Sequence, residues 1–342
     1  MKISFVGHER HRRTGSARFM IELLRTIADV TEFYIDPDGA PDIYDATMRQ
    51  LVASQFDRYV YWQTELISER LLPMDLGPSF LVPMYDTVAD TRDDWWLRFI
   101  NCHFLSFTRC HHERLRAMGC VSSHFQYFPD PGPERERRFD GDLDAFFWRR
   151  RPRSAVDLAT VLRQCRELGI VRLHVHDAPD FAEDRDAPLP ADDGAVEITV
   201  SQWFDRHQTY REIAGAPLFF FASRPREGIG MACLEAMANA QIVVSPDVAA
   251  VNEYVAHLSS GLLYGPASFD VALSQINAAA LERMSRAARR KMVEGRRAWL
   301  ADTARLLSII AMDGRRWSMS DSSAGFGDTI RRAAHWRLNV GR

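Results

Sequence analysis

The chain has 342 residues, of which 46% are hydrophobic and 11% aromatic, and its formal net charge is -3. A single hydrophobic core rarely grows beyond about 250–300 residues, so the length predicts two domains. The nearly balanced charge carries no signature of a nucleic-acid-binding protein. No apolar run approaches the roughly 20 residues of a membrane-spanning helix, and the N-terminus lacks the apolar segment of a signal peptide. These features predict a cytoplasmic protein.

The N-terminal half alternates short apolar or β-branched runs with longer helical patterns. The runs lie at 3–6, 31–34, 59–62, 79–82 and 103–107, and the clearest helical stretches are 16–28 and 111–118. Such alternation predicts a parallel sheet with helices on both faces.

The five cysteines show no C-x-x-C spacing; they are Cys102, Cys110, Cys120, Cys165 and Cys233. An odd number without paired spacing argues against a disulfide framework and against a structural zinc site. The segment 102–120 also concentrates histidines, but buried thiols beside a helix explain it better than a metal site. The sequence therefore predicts reduced cysteines and no metal.

A connector follows at 128–138, where three prolines within six residues precede a run of charges. This composition is typical of an interdomain linker. A second alternating set of strand patterns comes after it, at 143–147, 171–175, 196–200, 218–221 and 242–244. The acidic segment 178–193 is predicted to be an exposed loop. The predicted domains are Rossmann-like and cover 1–132 and 133–312.

The most informative stretch is a Gly-x-Gly turn between an apolar run, 216–222, and a helix-forming segment that begins at Met231. Glycines at a strand-to-helix junction expose backbone N–H groups and the positive end of the helix dipole, which favours a phosphate or a hydroxyl-rich ligand. Glu227 lies in the turn and Glu235 about two helical turns further on, so both carboxylates are expected to face one ligand. The alternative is an alanine-rich helix with Glu235 facing solvent.

The residues from Glu227 onward read E-G-I-G-M-A-C-L-E-A-M-A, and they are followed by Q-I-V-V-S, V-N-E-Y-V and S-G-L-L-Y. This order of motifs resembles that of retaining GT-B glycosyltransferases, particularly the large family 4, the glycosyl transferases group 1. Ile229 replaces the aromatic residue that is usual in the family. The resemblance implies an α/β protein of GT-B fold, in which two Rossmann-like domains face a central cleft. It also implies that 1–132 is the acceptor-side domain and that 133–312 binds the nucleotide sugar.

The resemblance also implies roles for the turn. Glu235 would accept hydrogen bonds from the ribose hydroxyls of a nucleotide sugar, and Glu227 with the backbone of Gly228, Ile229 and Gly230 would hold the donor sugar. Transfer would retain the anomeric configuration, by front-face attack assisted by the leaving phosphate and without a dedicated base. No cofactor or metal is implied, because cationic side chains and the helix dipole act on the diphosphate.

The family's diphosphate clamp is an Arg directly after the first strand of the C-terminal domain and a Lys at the start of the next helix. Aligning the strand ends places Arg149 on the Arg and Ser154 on the Lys. Arg153, one residue earlier, carries a guanidinium that binds two phosphate oxygens, and it is the expected substitute. A solvated arginine cluster is the alternative.

In the N-terminal half, segment 7–19 looks like the family's glycine loop near the donor phosphates or the acceptor. Gly15 would allow close backbone approach, whereas Thr14 replaces the usual second glycine. The basic residues at 8–13 indicate either a surface loop or contact with an anionic acceptor or lipid surface.

After the fourth strand, Tyr85 and Asp86 stand where the family commonly has a His-Asp pair near the donor sugar. They are expected to position the sugar, with Tyr85 donating a hydrogen bond but not titrating near neutral pH. Tyr85 as a core aromatic residue is the alternative.

Segment 267–307 is predicted to be helical and basic on one side. Solvated helix faces explain the basic residues, and peripheral contact with the inner face of a membrane is the alternative. The tail 313–342 carries large apolar residues, including Trp317 and Trp336, and is predicted to return to the N-terminal domain.

The sequence therefore predicts a retaining, metal-independent hexosyltransferase-like enzyme. It would move a sugar from a nucleotide-sugar donor to a glycan or lipid-linked acceptor in surface polysaccharide or glycolipid biosynthesis, with no nucleic-acid partner. Two alternatives stay open: another GT-B enzyme such as a sugar-nucleotide epimerase, and a catalytically silent glycosyltransferase-like binding subunit. The departures at Thr14, Tyr85 and Ser154 are the reason for the second.

Overall fold

The computed structural model describes residues 1–36, 41–65, 67–68, 76–99, 102–179, 184, 194–202, 207–265 and 276–312. The chain divides into two compact units, one with the residues up to Gln126 and from Trp299 onward, the other with Tyr127–Ala298. The predicted return of 313–342 lies outside the described residues, as does most of the predicted loop 178–193.

The first unit contains a six-stranded parallel sheet with the order β2-β1-β3-β4-β5-β6. Its strands are β1 (Lys2–His8), β2 (Asp29–Ile35), β3 (Arg58–Trp62), β4 (Ser79–Val82), β5 (His103–Ser106) and β6 (Val121–His124). Its helices are α1 (Glu9–Thr14), α2 (Arg18–Arg25), α3 (Pro41–Ala53), α4 (Tyr85–Val88), α5 (Asp93–Trp96) and α6 (Arg109–Ala117). The first five strands confirm the predicted ones. The sixth was missed because its sequence, V-S-S-H, contains a single apolar residue.

The second unit repeats this design with the strand order β12-β11-β10-β7-β8-β9, again all parallel. Its strands are β7 (Leu143–Trp148), β8 (Ile170–His176), β9 (Glu197–Ser201), β10 (Phe219–Phe221), β11 (Ile242–Pro246) and β12 (Leu262–Tyr264). Its helices are α7 (Leu158–Leu168), α8 (His207–Ala214) and α9 (Met231–Ala238), and α10 (Ala278–Ala311) belongs to this unit as far as Ala298.

The central strand β7 shows how the second sheet is buried on both faces. Ala145 and Phe147 lie in a hydrophobic core with residues of α7. Phe146, between them, points the opposite way and stacks on Phe220 at 5.6 Å and on His174 at 5.7 Å between ring centroids. Because successive side chains of a strand point to opposite faces of the sheet, β7 is packed on both faces.

The end of α10 is fastened to the first unit. Trp299 packs against Phe19 and Phe107, with ring centroids 6.0 and 6.2 Å apart. The guanidinium of the buried Arg58 donates from Nε to the carbonyl of Ile310 at 2.9 Å. A cation at the C-terminal end of a helix also stabilises the helix dipole.

Two basic residues of α10 contact backbone carbonyls of the second unit. Arg289 donates to the carbonyl of Gly132 at 2.6 Å, and Arg296 donates to that of Phe128 at 3.0 Å. Burial also lowers the pKa of Lys291. Arg289 and Arg296 therefore bind the backbone of the connector and are not simply solvated. The alternative of membrane contact stays a prediction.

Gly295 leaves room on α10 for the ring of Phe128. A Cβ at this position would lie 2.2 Å from Cδ1 of Phe128. Although Gly→Ala in a helix normally stabilises by about 1 kcal/mol, we expect Gly295→Ala to lower the free energy of unfolding by about 2 kcal/mol, because the overpacked ring or helix must shift. Urea unfolding followed by circular dichroism measures this.

The matched control is the same substitution in a protein that lacks the Phe128 ring. On a Phe128→Ala background, Gly295→Ala is expected to be neutral or stabilising. Equal destabilisation on both backgrounds would mean that the ring is not the cause.

Candidate functional site

The carboxyl ends of β7 and β10 lie side by side in the middle of the second sheet, where Phe147 pairs with Phe221. The chain continues from β7 to β8 on one side, while β11 and β12 lie on the other. In open α/β sheets, ligands bind at such a topological switch point. The loops that begin at Arg149 and Ala222 therefore border the candidate site.

The turn before α9 requires glycine at position 230. Gly230 precedes the helix with a φ of 76°, in the left-handed region. A Cβ there would also come within 3.2 Å of the side chain of Val251. Gly228 and Ile229 are buried. The predicted strand, turn and helix are confirmed, and the turn leads into a helix N-terminus of the kind that binds anions.

The charges of Glu227 and Glu235 both affect the pKa of Tyr210, which lies on α8. Burial raises the pKa of the Tyr210 phenol, and the charges of Glu235 and Glu227 raise it further, whereas Arg150 lowers it. The charges of three side chains from three other segments of the second unit therefore reach the phenol of Tyr210.

Glu235 is half-buried, with 29% of its side chain exposed, and Nη2 of Arg211 lies 3.4 Å from its Oε1. Burial raises the pKa of this carboxyl, and Arg211 opposes the shift. Glu235 is thus not the solvent-facing residue of the alternative interpretation. A carboxylate that has lost water gains from hydroxyl groups that donate to it.

Tyr210 is a site residue that sequence reasoning missed. Its ring packs 5.2 Å from that of Trp148 and 5.5 Å from that of His176. The guanidinium of Arg150 lies over Trp148, 4.5 Å from the ring centroid. The surrounding H-Q-T-Y-R carries no motif, so only tertiary contacts bring Tyr210 to the site.

The predicted phosphate ligands take different positions. Arg149 is 4% exposed and donates from Nη1 to Asp177 at 2.9 Å. Arg153 is 69% exposed, with its Nε 3.8 Å from Asp184. The hydroxyl of Ser154 donates to a neighbouring backbone carbonyl. Arg149 thus begins the loop at the switch point, whereas Arg153 lies largely in solvent.

Residues 194–299 match the family described as Glycosyl transferases group 1, and this segment contains both Glu227 and Glu235. The chain is a glycosyltransferase with a group 1 domain. No curated protein matches it by sequence. The fold is nevertheless that of known GT-B proteins, as solved structures show.

This glycosyltransferase is similar to Anabaena HepE, solved with UDP and glucose, at a TM-score of 0.63 and 11% identity over 90% of this chain and 100% of HepE. It is also similar to the sucrose-phosphate synthase of Thermosynechococcus elongatus, at a TM-score of 0.65 and 13% identity over 90% and 98% of the two chains. For the lipopolysaccharide outer core galactosyltransferase WaaB, the TM-score is 0.57 and the identity 13% over 88% and 99%.

In the first unit of the glycosyltransferase, the predicted glycine loop is largely a helix. Residues Glu9–Thr14 form α1, and Gly15 ends it with a φ of 66° and an N–H bond to the carbonyl of His11. The hydroxyl of Thr14 donates to the carbonyl of Arg10 at 3.0 Å. The expectation of an open loop is wrong here, because these residues tolerate a helix and Gly15 provides its left-handed end.

Tyr85 and Asp86 form the first turn of α4, directly beyond the carboxyl end of β4, and both are half-buried. The Tyr85 ring centroid lies 6.5 Å from that of His111. The charge of Asp86 acts on the buried Glu65. Their predicted roles toward a donor sugar stay predictions.

Cys102 and Cys120 are buried, as predicted for the thiols of segment 102–120, whereas Cys110 is exposed. Burial raises the pKa of Cys120 to about 12. Among the described residues, no group of three or more His, Cys, Asp or Glu could hold a metal ion. None of the described helices is both long and apolar enough to cross a bilayer.

Proposed function

We propose that this glycosyltransferase moves a sugar from a nucleotide-sugar donor to a hydroxyl group of a glycan or lipid-linked acceptor, with retention at the anomeric carbon and without a metal. The pathway that fits such an acceptor is surface polysaccharide or glycolipid biosynthesis. The observation that carries the proposal is the glycine turn of α9 at the switch point of the second sheet, with Glu227 in the turn and Glu235 on α9. The charges of both glutamates also raise the pKa of Tyr210.

In this proposal Glu235 accepts hydrogen bonds from the ribose hydroxyls. Its carboxylate is half-buried, and Arg211 offsets only part of the rise in its pKa that burial causes. Such a carboxylate can accept hydrogen bonds from two hydroxyl groups. Glu227 and the backbone from Gly228 to Gly230 hold the donor sugar. The N-terminus of α9 stabilises the departing diphosphate, because its first N–H groups and the helix dipole favour negative charge.

Arg149, at the switch point, is proposed to bind the diphosphate, and Arg153 is proposed as the second cation that binds it. Arg150 is a further candidate, because it lies over Trp148 and acts on Tyr210 at the site itself. Guanidinium groups at these positions would do the work that a divalent ion does elsewhere.

The bond between the anomeric carbon and the diphosphate oxygen breaks, and the acceptor oxygen forms its bond on the same face of the sugar. The acceptor proton passes to the leaving phosphate oxygen, so no separate base is required. Tyr85 and Asp86 are proposed to position the sugar.

The first test is a thermal-shift screen of UDP-, GDP-, ADP- and dTDP-sugars on the full chain, beginning with UDP-glucose because HepE has been solved with it. A ligand at a hundred times its Kd should stabilise the protein by about 2.7 kcal/mol. We expect one nucleotide class to produce the shift and Glu235→Ala to abolish it, because the ribose loses its acceptor.

Glu167→Ala is the matched control, since this glutamate lies exposed on α7 and the substitution should leave the shift unchanged. Release of free sugar from the shifting donor then separates an enzyme from a binding subunit. A folded wild type that responds to no donor would overturn the proposal and favour a catalytically silent subunit.

A further inference from the structure

Two helices of the second unit carry the groups around Glu235, and their C-terminal ends lie next to each other. α8 carries Tyr210 and Arg211, and α9 carries Glu235, whose Oε1 lies 3.4 Å from Nη2 of Arg211. One turn further on, a Cβ added to Gly215, just after α8, would come within 3.2 Å of Nδ2 of Asn239, which ends α9. The distance between Arg211 and Glu235 therefore depends on how these two helix ends are held.

The guanidinium of Arg137, on the connector, binds both helix ends. Its Nε donates to the carbonyl of Asn239 at 3.1 Å, and its two Nη groups donate to the carbonyls of Gly215 and Ala216. Carbonyls at the C-terminal end of a helix lack partners within the helix and carry partial negative charge, so a cation stabilises them. One planar group with several N–H donors thus bridges the ends of α8 and α9.

Each helix end that Arg137 binds is one hydrogen bond away from a member of the Arg211–Glu235 pair. The N–H of Gly215 donates to the carbonyl of Arg211 at 2.9 Å, and the N–H of Asn239 donates to that of Glu235 at 3.0 Å. Displacing either end would therefore move the backbone that carries one member of the pair.

The surroundings of Arg137 restrict its side chain to this bridge. Arg137 is half-buried, and burial lowers its pKa, as does the charge of Arg135, whereas Asp144 raises it. A guanidinium that has lost water is held by the carbonyls that replace the water. Arg135 differs, because it donates to the carbonyl of Gly215 at 3.3 Å and to no carbonyl of α9 among the described contacts. Of these two connector arginines, only Arg137 bridges the helices.

We propose that Arg137 is a positioning residue for donor binding, which holds the ends of α8 and α9 together and so keeps the Arg211 guanidinium beside the Glu235 carboxylate. The inference rests on the proposed function, in which Glu235 accepts hydrogen bonds from the ribose hydroxyls. Arg211 opposes the rise in the pKa of Glu235 that burial causes, so the pair favours the ionised carboxylate. Arg137 acts through the two helices and needs no contact with the donor.

The test compares Arg137→Lys with the wild type in the full chain. Lysine keeps the positive charge, but one ammonium group cannot reproduce the planar bridge to the carbonyls of both helices. The probe is UDP-glucose, or the other nucleotide sugar that the donor screen selects, and its hydrolysis without acceptor is followed. We expect KM to rise about tenfold while kcat changes little, because a displaced Glu235 weakens the ribose contact equally in the ground state and the transition state.

The pKa of Glu235 separates positioning from a general loss of stability. Without the bridge, Arg211 is expected to move away from Glu235, and the pKa of this carboxyl then rises further. The loss of donor affinity on acidification should begin at a higher pH in Arg137→Lys than in the wild type. The phenol of Tyr210 does not contribute, because burial and the nearby carboxylates raise its pKa and keep it neutral. Carbon-13 NMR of the Glu235 carboxyl, assigned with Glu235→Gln, measures the same shift without any ligand.

Arg135→Lys is the matched control, since it changes a contact with the end of α8 alone and should leave KM and the pKa of Glu235 unchanged. If Arg137→Lys does not fold, Gly215→Ala replaces it, because its Cβ would press on Asn239 and separate the helix ends with Arg137 in place.

An unchanged pKa of Glu235 in the test variant overturns the inference, whatever the value of KM. Equal KM in the wild type and the variant overturns it too, and so does the same change in Arg135→Lys. A wild type that binds no donor overturns the proposed function separately, and the ligand-free titration of Glu235 still decides whether Arg137 holds the pair together.

Discussion

At pH 5 the first unit is expected to be about 4 kcal/mol less stable than at pH 7, because buried histidines must take up protons on unfolding. Burial lowers the pKa of His11 and His111 to about 3 and that of His103 to about 4, all from 6.5. The stability they contribute is complete above pH 6.5 and is lost as the pH falls toward the folded values. At pH 5 each costs about 2 kcal/mol.

The titration of Glu65 changes the stability in the opposite direction and offsets about a third of this loss. Its folded pKa of about 7 lies above the ordinary value of 4.5, so the folded state holds the proton more tightly. Its contribution is complete below pH 4.5 and is lost as the pH rises through 7. Acidification from pH 7 to pH 5 therefore restores about 2 kcal/mol, because the carboxyl is already half protonated at pH 7, and this leaves a net loss of about 4 kcal/mol. This is a large part of the 5–15 kcal/mol that a domain typically has.

Urea unfolding at pH 7.5, 6 and 5, followed by tryptophan fluorescence, measures the effect. Glu65→Gln should steepen the acid loss to about 6 kcal/mol, because the offset disappears. His103→Gln, which keeps the bond to Ser123, should recover about 2 kcal/mol at pH 5. An acid loss that is the same in all three proteins would contradict the assignment to these groups.

Arg149→Met is expected to destabilise the second unit by about 3 kcal/mol and to abolish the donor-induced thermal shift. The first effect follows because Asp177, 18% exposed, would lose its 2.9 Å partner and remain as a poorly solvated charge. The second follows from the proposed contact with the donor diphosphate. Urea unfolding and the donor screen measure the two effects independently.

The double variant Arg149→Met/Asp177→Asn separates the loss of stability from the loss of donor binding. Removing the second charge should restore most of the stability, since no unpaired carboxylate remains. The donor shift should stay absent, because Asn at 177 supplies no cation. A double variant that binds donor as the wild type does would reduce Arg149 to a structural partner of Asp177.

Strands were predictable where their residues are continuously apolar. The runs Y-V-Y-W of β3 and F-F-F of β10 are buried along their whole length, as central parallel strands are. β6 (Val121–His124) is equally part of the sheet, but its serine hydroxyls bond ring nitrogens of neighbouring histidines, Ser122 with His112 and Ser123 with His103. Such pairing is long-range and leaves no local pattern.

Site residues divide in the same way. The segment from Glu227 to Glu235 could be placed because its glycines and carboxylates occupy one continuous turn and helix, where spacing determines position. Tyr210 could not, because it comes from another helix and reaches the site by packing on Trp148 and His176.

The sequence by itself determined the alternating α/β architecture, the glycine turn before α9 and the two glutamates at their fixed spacing, because each of these depends on residues close together in the chain. Only the tertiary structure decided that Arg149 is buried against Asp177, that Arg153 lies largely in solvent and that Oε1 of Glu65 has no hydrogen-bond partner among the described residues. Burial and ionic pairing depend on which segments the sheets bring together, and no local pattern of residues carries that information.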